Sequence, residues 1–231
     1  MCGRYALFTD PRTVRGEFDL SVSPNLPPRY NVSPTQDAAI VWMSEDRGVE
    51  LSLMRWGLVP SWAKNIKTLR GPIINVRGET VSKQLISRDS FVARRCLVPT
   101  DGFYEWKVVG AEKRPYYISL SNKRLFAFAG VWDIWRSPDG NLLRSFAIIT
   151  VTATQKISPI HARMPLLLDH TQYKHWLSTD EKRPNCDILR SLAPSVELEA
   201  YEVSCHVNSY ANDDARCVEA LPHLRHEVER I

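Results

Sequence analysis

Long apolar runs, internal repeats and flexible linkers are all missing from this 231-residue sequence. No stretch of 18 or more apolar residues occurs, and the first residues do not form a basic-then-apolar leader, so no membrane-spanning helix or secretory signal is predicted. No segment repeats, and no Gly/Ser-rich stretch divides the chain. We therefore expect one soluble, cytoplasmic domain over residues 1–231, with less order in the charged tail after about residue 212.

Paired cysteines are missing as well. The five cysteines are odd in number, include no CxxC pair and form no His/Cys cluster at zinc-finger spacing. This pattern argues against a disulfide framework and against structural zinc. A chain of this length hides roughly 70% of its surface on folding, so an apolar core suffices for stability. No metal and no organic cofactor is predicted.

Lysine is scarce among the basic residues. Of 30 basic residues 21 are arginine and 9 are lysine, against 26 acidic residues and a net charge of +4. Arginine presents a planar fork that binds phosphate oxygens in pairs, so the bias is typical of phosphate binding. A GC-rich genome produces the same bias, and both explanations stay open at this point.

What the sequence does contain is β-branched and aromatic segments between turn residues. Eight such segments are predicted strands: Ala38–Met43, Val49–Trp56, Arg95–Val98, Phe103–Val109, Tyr116–Leu120, Leu125–Trp135, Arg144–Thr152 and Leu198–Cys205. Helices are predicted after the Asp10–Pro11 cap and at Glu79–Ile86, Ser90–Arg94, Thr171–Leu177 and Asp180–Ser191. The predicted fold is α+β, predominantly antiparallel β, with a barrel-like core and short flanking helices.

The first chemical signal is the opening Met1–Cys2–Gly3–Arg4. Removal of Met1 before so small a residue would leave Cys2 with a free α-amine beside its thiol. Such an aminothiol condenses with an aldehyde, first as an imine and then as a five-membered thiazolidine. The alternative is a buried, inert cysteine near a chain end.

Several further motifs occur in a fixed order along the chain. They are Met1–Tyr5, Arg29–Thr35, Trp56–Trp62, Asn75–Thr80, Arg95–Pro99, Gly102–Trp106, Ile160–Pro165 and Val207–Asn208. In this the chain resembles the SOS-response-associated peptidase family, whose members crosslink to abasic sites in single-stranded DNA. It departs from that family at Val76 and Gly78, where alanine is usual.

The resemblance implies that Cys2 is the nucleophile and that Asn75, Glu105 and His161 complete the active site. A carboxyl at Glu105, between aromatic neighbours, has a raised pKa and can serve as general acid in opening the sugar and expelling water. His161 can pass protons to the sugar and the imine, and the Asn75 amide can orient the amine. Each has a plain structural alternative: an outward-facing carboxylate, a structural histidine and a turn asparagine.

The same resemblance implies a DNA surface around the site. Arg4, Arg77 and Arg163 each adjoin a proposed catalytic residue and are predicted to hold phosphates. Trp62 and Trp106 are predicted to stack on bases or wedge the strand, although tryptophan is also common in cores.

The sequence thus predicts an abasic-site sensor in single-stranded DNA that acts as a monomer in the cytoplasm, on the nucleoid if the source is bacterial. It would form a thiazolidine through Cys2 after Met1 is released by self-cleavage or by an aminopeptidase. Two alternatives remain. Met–Cys–Gly also begins amidotransferases whose N-terminal cysteine attacks glutamine, and a noncovalent reader of damaged DNA would use Cys2 only structurally.

Overall fold

The computed structural model describes residues 2–69, 71–178, 189 and 197–222. In these ranges the strands are β1 (Arg4–Leu7), β2 (Arg29–Val32), β3 (Asp37–Ser44), β4 (Gly48–Trp56), β5 (Asn75–Arg77), β6 (Arg95–Thr100), β7 (Gly102–Val109), β8 (Glu112–Leu120), β9 (Phe126–Arg136), β10 (Leu142–Thr152), β11 (Arg163–Pro165), β12 (Leu167–Leu168) and β13 (Leu198–Glu202). The helices are α1 (Pro11–Glu17), α2 (Arg88–Ala93) and α3 (His170–Leu177), and 3-10 turns lie at Ile66–Thr68, Cys205–Asn208 and Ala215–Cys217.

Five strands close into a barrel. β10 pairs with β4, β4 with β3, β3 with β6, β6 with β9, and β9 again with β10. The β10–β4 contact is parallel and the others are antiparallel. Alternate residues of these strands, among them Ile40, Phe128 and Phe146, form one fully buried apolar cluster. Because side chains alternate between the two faces of a strand, this cluster fills the barrel.

A second, antiparallel sheet has the order β13-β8-β7-β1-β2. Its register pairs Arg4 of β1 with Tyr104 of β7, so the residues before Arg4 lie beside Glu105. Cys2 belongs to the buried cluster that fills the barrel. The start of the chain therefore lies where the open sheet meets the barrel.

The helix boundaries follow local capping. Asp10 accepts hydrogen bonds from the backbone of Arg12 and Thr13, and Pro11 occupies the first turn of α1, as is typical of helix starts. Asp169 and Gln172 form a reciprocal capping box at the start of α3. None of the helices in the described ranges combines the length and apolar character needed to cross a bilayer.

The predicted α+β fold with an antiparallel, barrel-like core is confirmed. The predicted helix Glu79–Ile86 is wrong: the segment is a series of turns in which the Ser87 hydroxyl donates to the Val81 carbonyl at 2.9 Å. That side-chain bond takes an acceptor that a continuous helix would use itself. The predicted strand Leu198–Cys205 ends at Glu202, because a 3-10 turn begins at Cys205. The predicted helix Asp180–Ser191 lies outside the described residues, apart from Leu189.

Candidate active site

Cys2 is completely buried. Its thiol lies 3.7 Å from the carbonyl oxygen of Arg4. Burial raises the pKa of the Cys2 thiol well above its usual value, and the charge of Glu105 raises it further. The sulfur is therefore a neutral thiol at neutral pH, and it needs a neighbouring base to react.

Asn75 lies on β5 and holds the start of the chain. Its Nδ2 donates to the carbonyl oxygen of Cys2 at 2.8 Å. Its Oδ1 is buried and has no hydrogen-bond partner among the described residues. A buried acceptor without a donor is costly, so this oxygen is well suited to receive an N–H from a group that enters the site.

Glu105 lies on β7 and is only 3% exposed. Burial raises the pKa of this carboxyl above its usual value. Oε1 lies 3.9 Å from Nδ1 of His161, on the segment between β10 and β11. The raised pKa favours the protonated form of Glu105, and His161 is near enough to exchange protons with it through small movements or one water.

The imidazole of His161 is fixed by the backbone that follows it. Nδ1 lies 3.1 Å from the amide nitrogen and 2.9 Å from the carbonyl oxygen of Arg163. The amide contact suits a ring with the proton on Nε2, and the carbonyl contact suits a ring with the proton on Nδ1. Both forms have a partner, as a proton shuttle requires.

An open cleft of about 600 Å³ gives solvent access to Glu105 and His161. Its lining residues are Glu105, Trp106, Val108, Lys113, His161 and Asn208. Glu105 and His161 thus meet in one cleft, and Cys2 and Asn75 are joined at its side by their hydrogen bond and by the electrostatic coupling of Cys2 to Glu105. The structure brings together all four residues that the resemblance implies.

The three predicted phosphate-binding arginines differ sharply. Arg77 lies on the same face of β5 as Asn75, because residues two apart in a strand share a face, and it is exposed. Its guanidinium makes no hydrogen bond or salt bridge to the residues that the structure describes. Arg163 binds both carboxylate oxygens of Glu79 at 2.9 Å and the Thr150 carbonyl oxygen at 2.6 Å.

Arg4 is half-buried, and its guanidinium is occupied by protein acceptors. Nη1 donates to Asn31 Oδ1 at 2.9 Å and to the Val207 carbonyl at 2.8 Å, and Nη2 donates to the Asn208 carbonyl at 3.2 Å. Three of the five guanidinium donors are thereby used within the protein.

The two predicted tryptophans also lie in different places. Trp106 is half-buried in the cleft wall, and its Nε1 donates to Asn208 Oδ1 at 2.8 Å. Trp62 is 47% exposed, donates to the Leu85 carbonyl at 3.2 Å and does not line the cleft.

The departures from the family pattern lie in the core. Val76 is 3% exposed and packs in the cluster that contains Ile149. A Cβ added at Gly78 would meet side-chain atoms of Leu189, Val151 and Ile149 at 3.3–3.5 Å. Both positions thus face apolar packing and leave the cleft lining unchanged.

Sequence reasoning gave no role to Asn208, although Val207–Asn208 is among the matching motifs. It also missed Lys113 and Val108 in the cleft lining and Glu79 as the partner of Arg163. The motif was the available signal for Asn208. The others depend on contacts between distant segments.

Comparisons with known proteins identify the family of this chain. The sequence profile described as SOS response associated peptidase (SRAP) matches residues 1–210. The abasic site processing protein YoqW of Bacillus subtilis (strain 168) is 37% identical over 229 residues, covering 95% of this chain and all of that one. The abasic site processing protein HMCES of Xenopus tropicalis is 30% identical over 223 residues. The alignment covers 84% of this chain and 66% of that protein.

A crystal structure of a Bacteroides thetaiotaomicron protein has the same fold, with a TM-score of 0.82 at 23% identity. The match covers 95% of this chain and all of that one. Together with the profile match over most of its length, these relatives show that the chain belongs to the SOS response associated peptidase family.

Proposed function

We propose that this protein recognises abasic sites in single-stranded DNA and crosslinks to them through Cys2 after Met1 is removed. The observation that carries the proposal is the hydrogen bond from Asn75 to the Cys2 carbonyl, beside a buried carboxyl and a histidine in one open cleft. The relatives named as abasic site processing proteins support the choice of lesion.

The first step is attack of the Cys2 amine on the aldehyde of the ring-opened sugar. His161 moves the proton that opens the hemiacetal, and the Asn75 amide orients the amine. The product is a carbinolamine, in which the former aldehyde carbon bears both the Cys2 nitrogen and a hydroxyl group. The raised pKa of Glu105 makes its carboxyl the proton donor that lets this hydroxyl leave as water.

The second step closes the ring. Loss of water leaves a protonated imine and an ionised Glu105, which then accepts the thiol proton of Cys2. The sulfur forms its bond to the imine carbon, and the nitrogen ends as a neutral secondary amine. One water is released overall, and Glu105 regains its proton, so neither an oxidant nor a cofactor is consumed.

The test is a denaturing gel of the mature protein with a single-stranded oligonucleotide that carries one abasic site. We expect a shifted band that survives heat and detergent, and an intact mass equal to protein plus DNA minus one water. An oligonucleotide with a tetrahydrofuran analogue, which lacks the aldehyde, is the matched control. A complex seen only on native gels would indicate a noncovalent reader, and glutamate release from glutamine would indicate an amidotransferase.

Variants at the N-terminus separate the amine from the thiol. Cys2→Ser, once Met1 is removed, keeps the amine and is expected to give a Schiff base that borohydride traps and that otherwise hydrolyses. A fixed N-terminal extension keeps the thiol, blocks the amine and is expected to abolish the stable adduct while binding to single strands persists. A blocked protein that crosslinks as fast as the mature one would replace the thiazolidine with simple thiol addition.

A further inference from the structure

The 3-10 turn Cys205–Asn208 brings Asn208 to the cleft wall. Arg4 on β1 and Asn31 on β2 bind the backbone of this turn on the side away from the cleft. Asn31 is fully buried, and its Nδ2 donates to the carbonyls of Val207, Ser209 and Asn212 at 2.7–3.2 Å. The Oδ1 of the same amide accepts from Arg4. A single buried asparagine thus binds Arg4 on one side and the turn on the other.

Arg4 continues this attachment to the residue that lines the cleft. Its two terminal nitrogens bind the carbonyls of Val207 and Asn208. The planar fork fixes the angle between its donors, so it sets the orientation of the two peptide groups as well as their distance. A phosphate would have to compete with these acceptors for the same N–H groups.

Asn208 connects Arg4 to Trp106 in the cleft wall through two hydrogen bonds. Its backbone carbonyl accepts from Arg4, and its side-chain Oδ1 accepts from the indole Nε1 of Trp106. Trp106 follows Glu105 on β7. Asn208, Trp106 and Glu105 all line the cleft, whereas Arg4 lies behind it. The hydrogen bond therefore sets the plane of the indole beside the buried carboxyl.

We propose that Arg4 and Asn208 are positioning residues that act through Trp106, and that Arg4 is not a phosphate ligand. The chain of bonds Arg4–Asn208–Trp106 holds the indole where a base next to the lesion stacks, and so places the sugar against Glu105. This inference rests on the proposed function for its kinetic consequence. The geometry itself can be tested without DNA.

The DNA-free test follows the indole N–H of Trp106 by nitrogen-edited NMR, with the signal assigned by its loss in Trp106→Phe. We expect this signal to move, and its solvent exchange to quicken, in Asn208→Ala, Arg4→Ala and Arg4→Lys. The last variant keeps the positive charge but loses the fork. Asn141→Ala, in the turn between β9 and β10, is the control and leaves the signal in place. An unmoved signal in the Arg4 variants would overturn the chain of bonds, whether or not the protein crosslinks DNA.

The kinetic test compares adduct formation at saturating abasic DNA. Loss of one neutral hydrogen bond predicts a roughly two- to tenfold slower rate for Asn208→Ala and for Trp106→Phe. Because both remove the same bond, the double variant is expected to be no slower than the slower single variant. Effects that multiply would show that the two residues act separately.

The salt test uses undamaged single-stranded DNA and needs no covalent chemistry. A phosphate contact contributes about 0.7 to the slope of log affinity against log salt for single strands. We expect Arg4→Ala to leave that slope unchanged and Arg4→Lys to slow crosslinking as much as Arg4→Ala does. A flattened slope in Arg4→Ala, or rescue of the rate by lysine, would make Arg4 a phosphate ligand and refute the proposal.

Discussion

The barrel side and the sheet side of the candidate site hold charge in opposite ways. The barrel side consists of Asn75, Arg77 and Arg163 on strands paired to β10, where the guanidinium of Arg77 is exposed and that of Arg163 is paired with Glu79. The sheet side includes Glu105, Trp106 and Asn208, with Lys113 at its exposed rim, and the Glu105 carboxyl is 3% exposed with a pKa raised by burial. The barrel side thus carries guanidinium groups, and the sheet side carries a buried carboxyl whose protonated form is favoured by burial.

This difference matches two different tasks. An exposed cation attracts phosphate by releasing counterions, which works in water and weakens with salt. A carboxyl that must donate a proton needs the opposite surroundings, because water would ionise it. We expect damage to the barrel side to change binding and damage to the sheet side to change the rate.

The largest effect is expected for Glu105→Gln, which keeps the shape of the sheet side but removes its proton. Loss of a general acid typically costs about 10²- to 10⁴-fold in rate, so the adduct time course should slow by that order while affinity for undamaged strands stays the same. Glu112→Gln, at an exposed position on β8, is the control. An unchanged rate would remove Glu105 from the proton path.

On the barrel side, Arg77→Ala should weaken binding to all single strands and flatten the salt slope by about 0.7. The saturating crosslinking rate should change much less, because the acid and the nucleophile stay in place. Fluorescence anisotropy over a series of salt concentrations measures the slope. If Arg77→Ala left the salt slope of DNA affinity unchanged but lowered the crosslinking rate at saturating DNA, Arg77 would act in the reaction and not in binding.

Arg163→Ala sharpens the comparison within the barrel side. Arg163 has an 18% exposed side chain and binds Glu79 and the carbonyl of buried Thr150. Loss of these bonds should cost about 1 kcal/mol after discounting the exposed carboxylate, or about 2–4 °C in Tm. Arg77→Ala should leave Tm unchanged.

Glu79→Gln is the matched variant for the effect of Arg163 on stability. It should lower Tm less than Arg163→Ala does and leave the salt slope of DNA binding intact. If Glu79→Gln strengthens DNA binding by several fold, the carboxylate competes with phosphate for Arg163. Equal Tm values for Arg163→Ala and Arg77→Ala would contradict the difference seen in their contacts.

The smallest effect concerns stability and pH. A folded-state pKa above the unfolded value means that Glu105 contributes stability at low pH, which is lost as pH rises through the folded pKa. Glu105→Gln should therefore gain Tm relative to the parent as pH rises from about 5 to about 8.5. Thermal melts across that range measure the change, with Glu112→Gln as the control. A constant difference would mean that Glu105 does not ionise over this range.

The sequence predicted the long strands well because their alternation is local. β9 was expected at Leu125–Trp135 and lies at Phe126–Arg136. β5 and β11 escaped prediction, since three residues carry too short a pattern and both exist only through pairing with β10. β2 contains no proline, but prolines at positions 27, 28 and 34 flank it and obscure its short pattern.

In the candidate site, too, residues within local motifs could be predicted, whereas contacts between distant segments could not. Cys2, Asn75, Glu105 and His161 lie in motifs that can be read in order along the chain. The partners of Arg4 could not be read in this way, because its bonds to Val207 and Asn208 span more than 200 positions. Glu79 and Arg163 are likewise 84 positions apart, so their pairing depends on the folded barrel.

The link between Arg4 and the turn at Cys205–Asn208 has a consequence for synthesis. During translation Arg4 leaves the ribosome more than 200 residues before the acceptors that orient its guanidinium. At about 5–20 residues per second this interval lasts tens of seconds at the slow end of the range. Throughout this interval the guanidinium of Arg4 lacks its acceptors in the turn, so the chain of bonds Arg4–Asn208–Trp106 forms only after the turn has been synthesised.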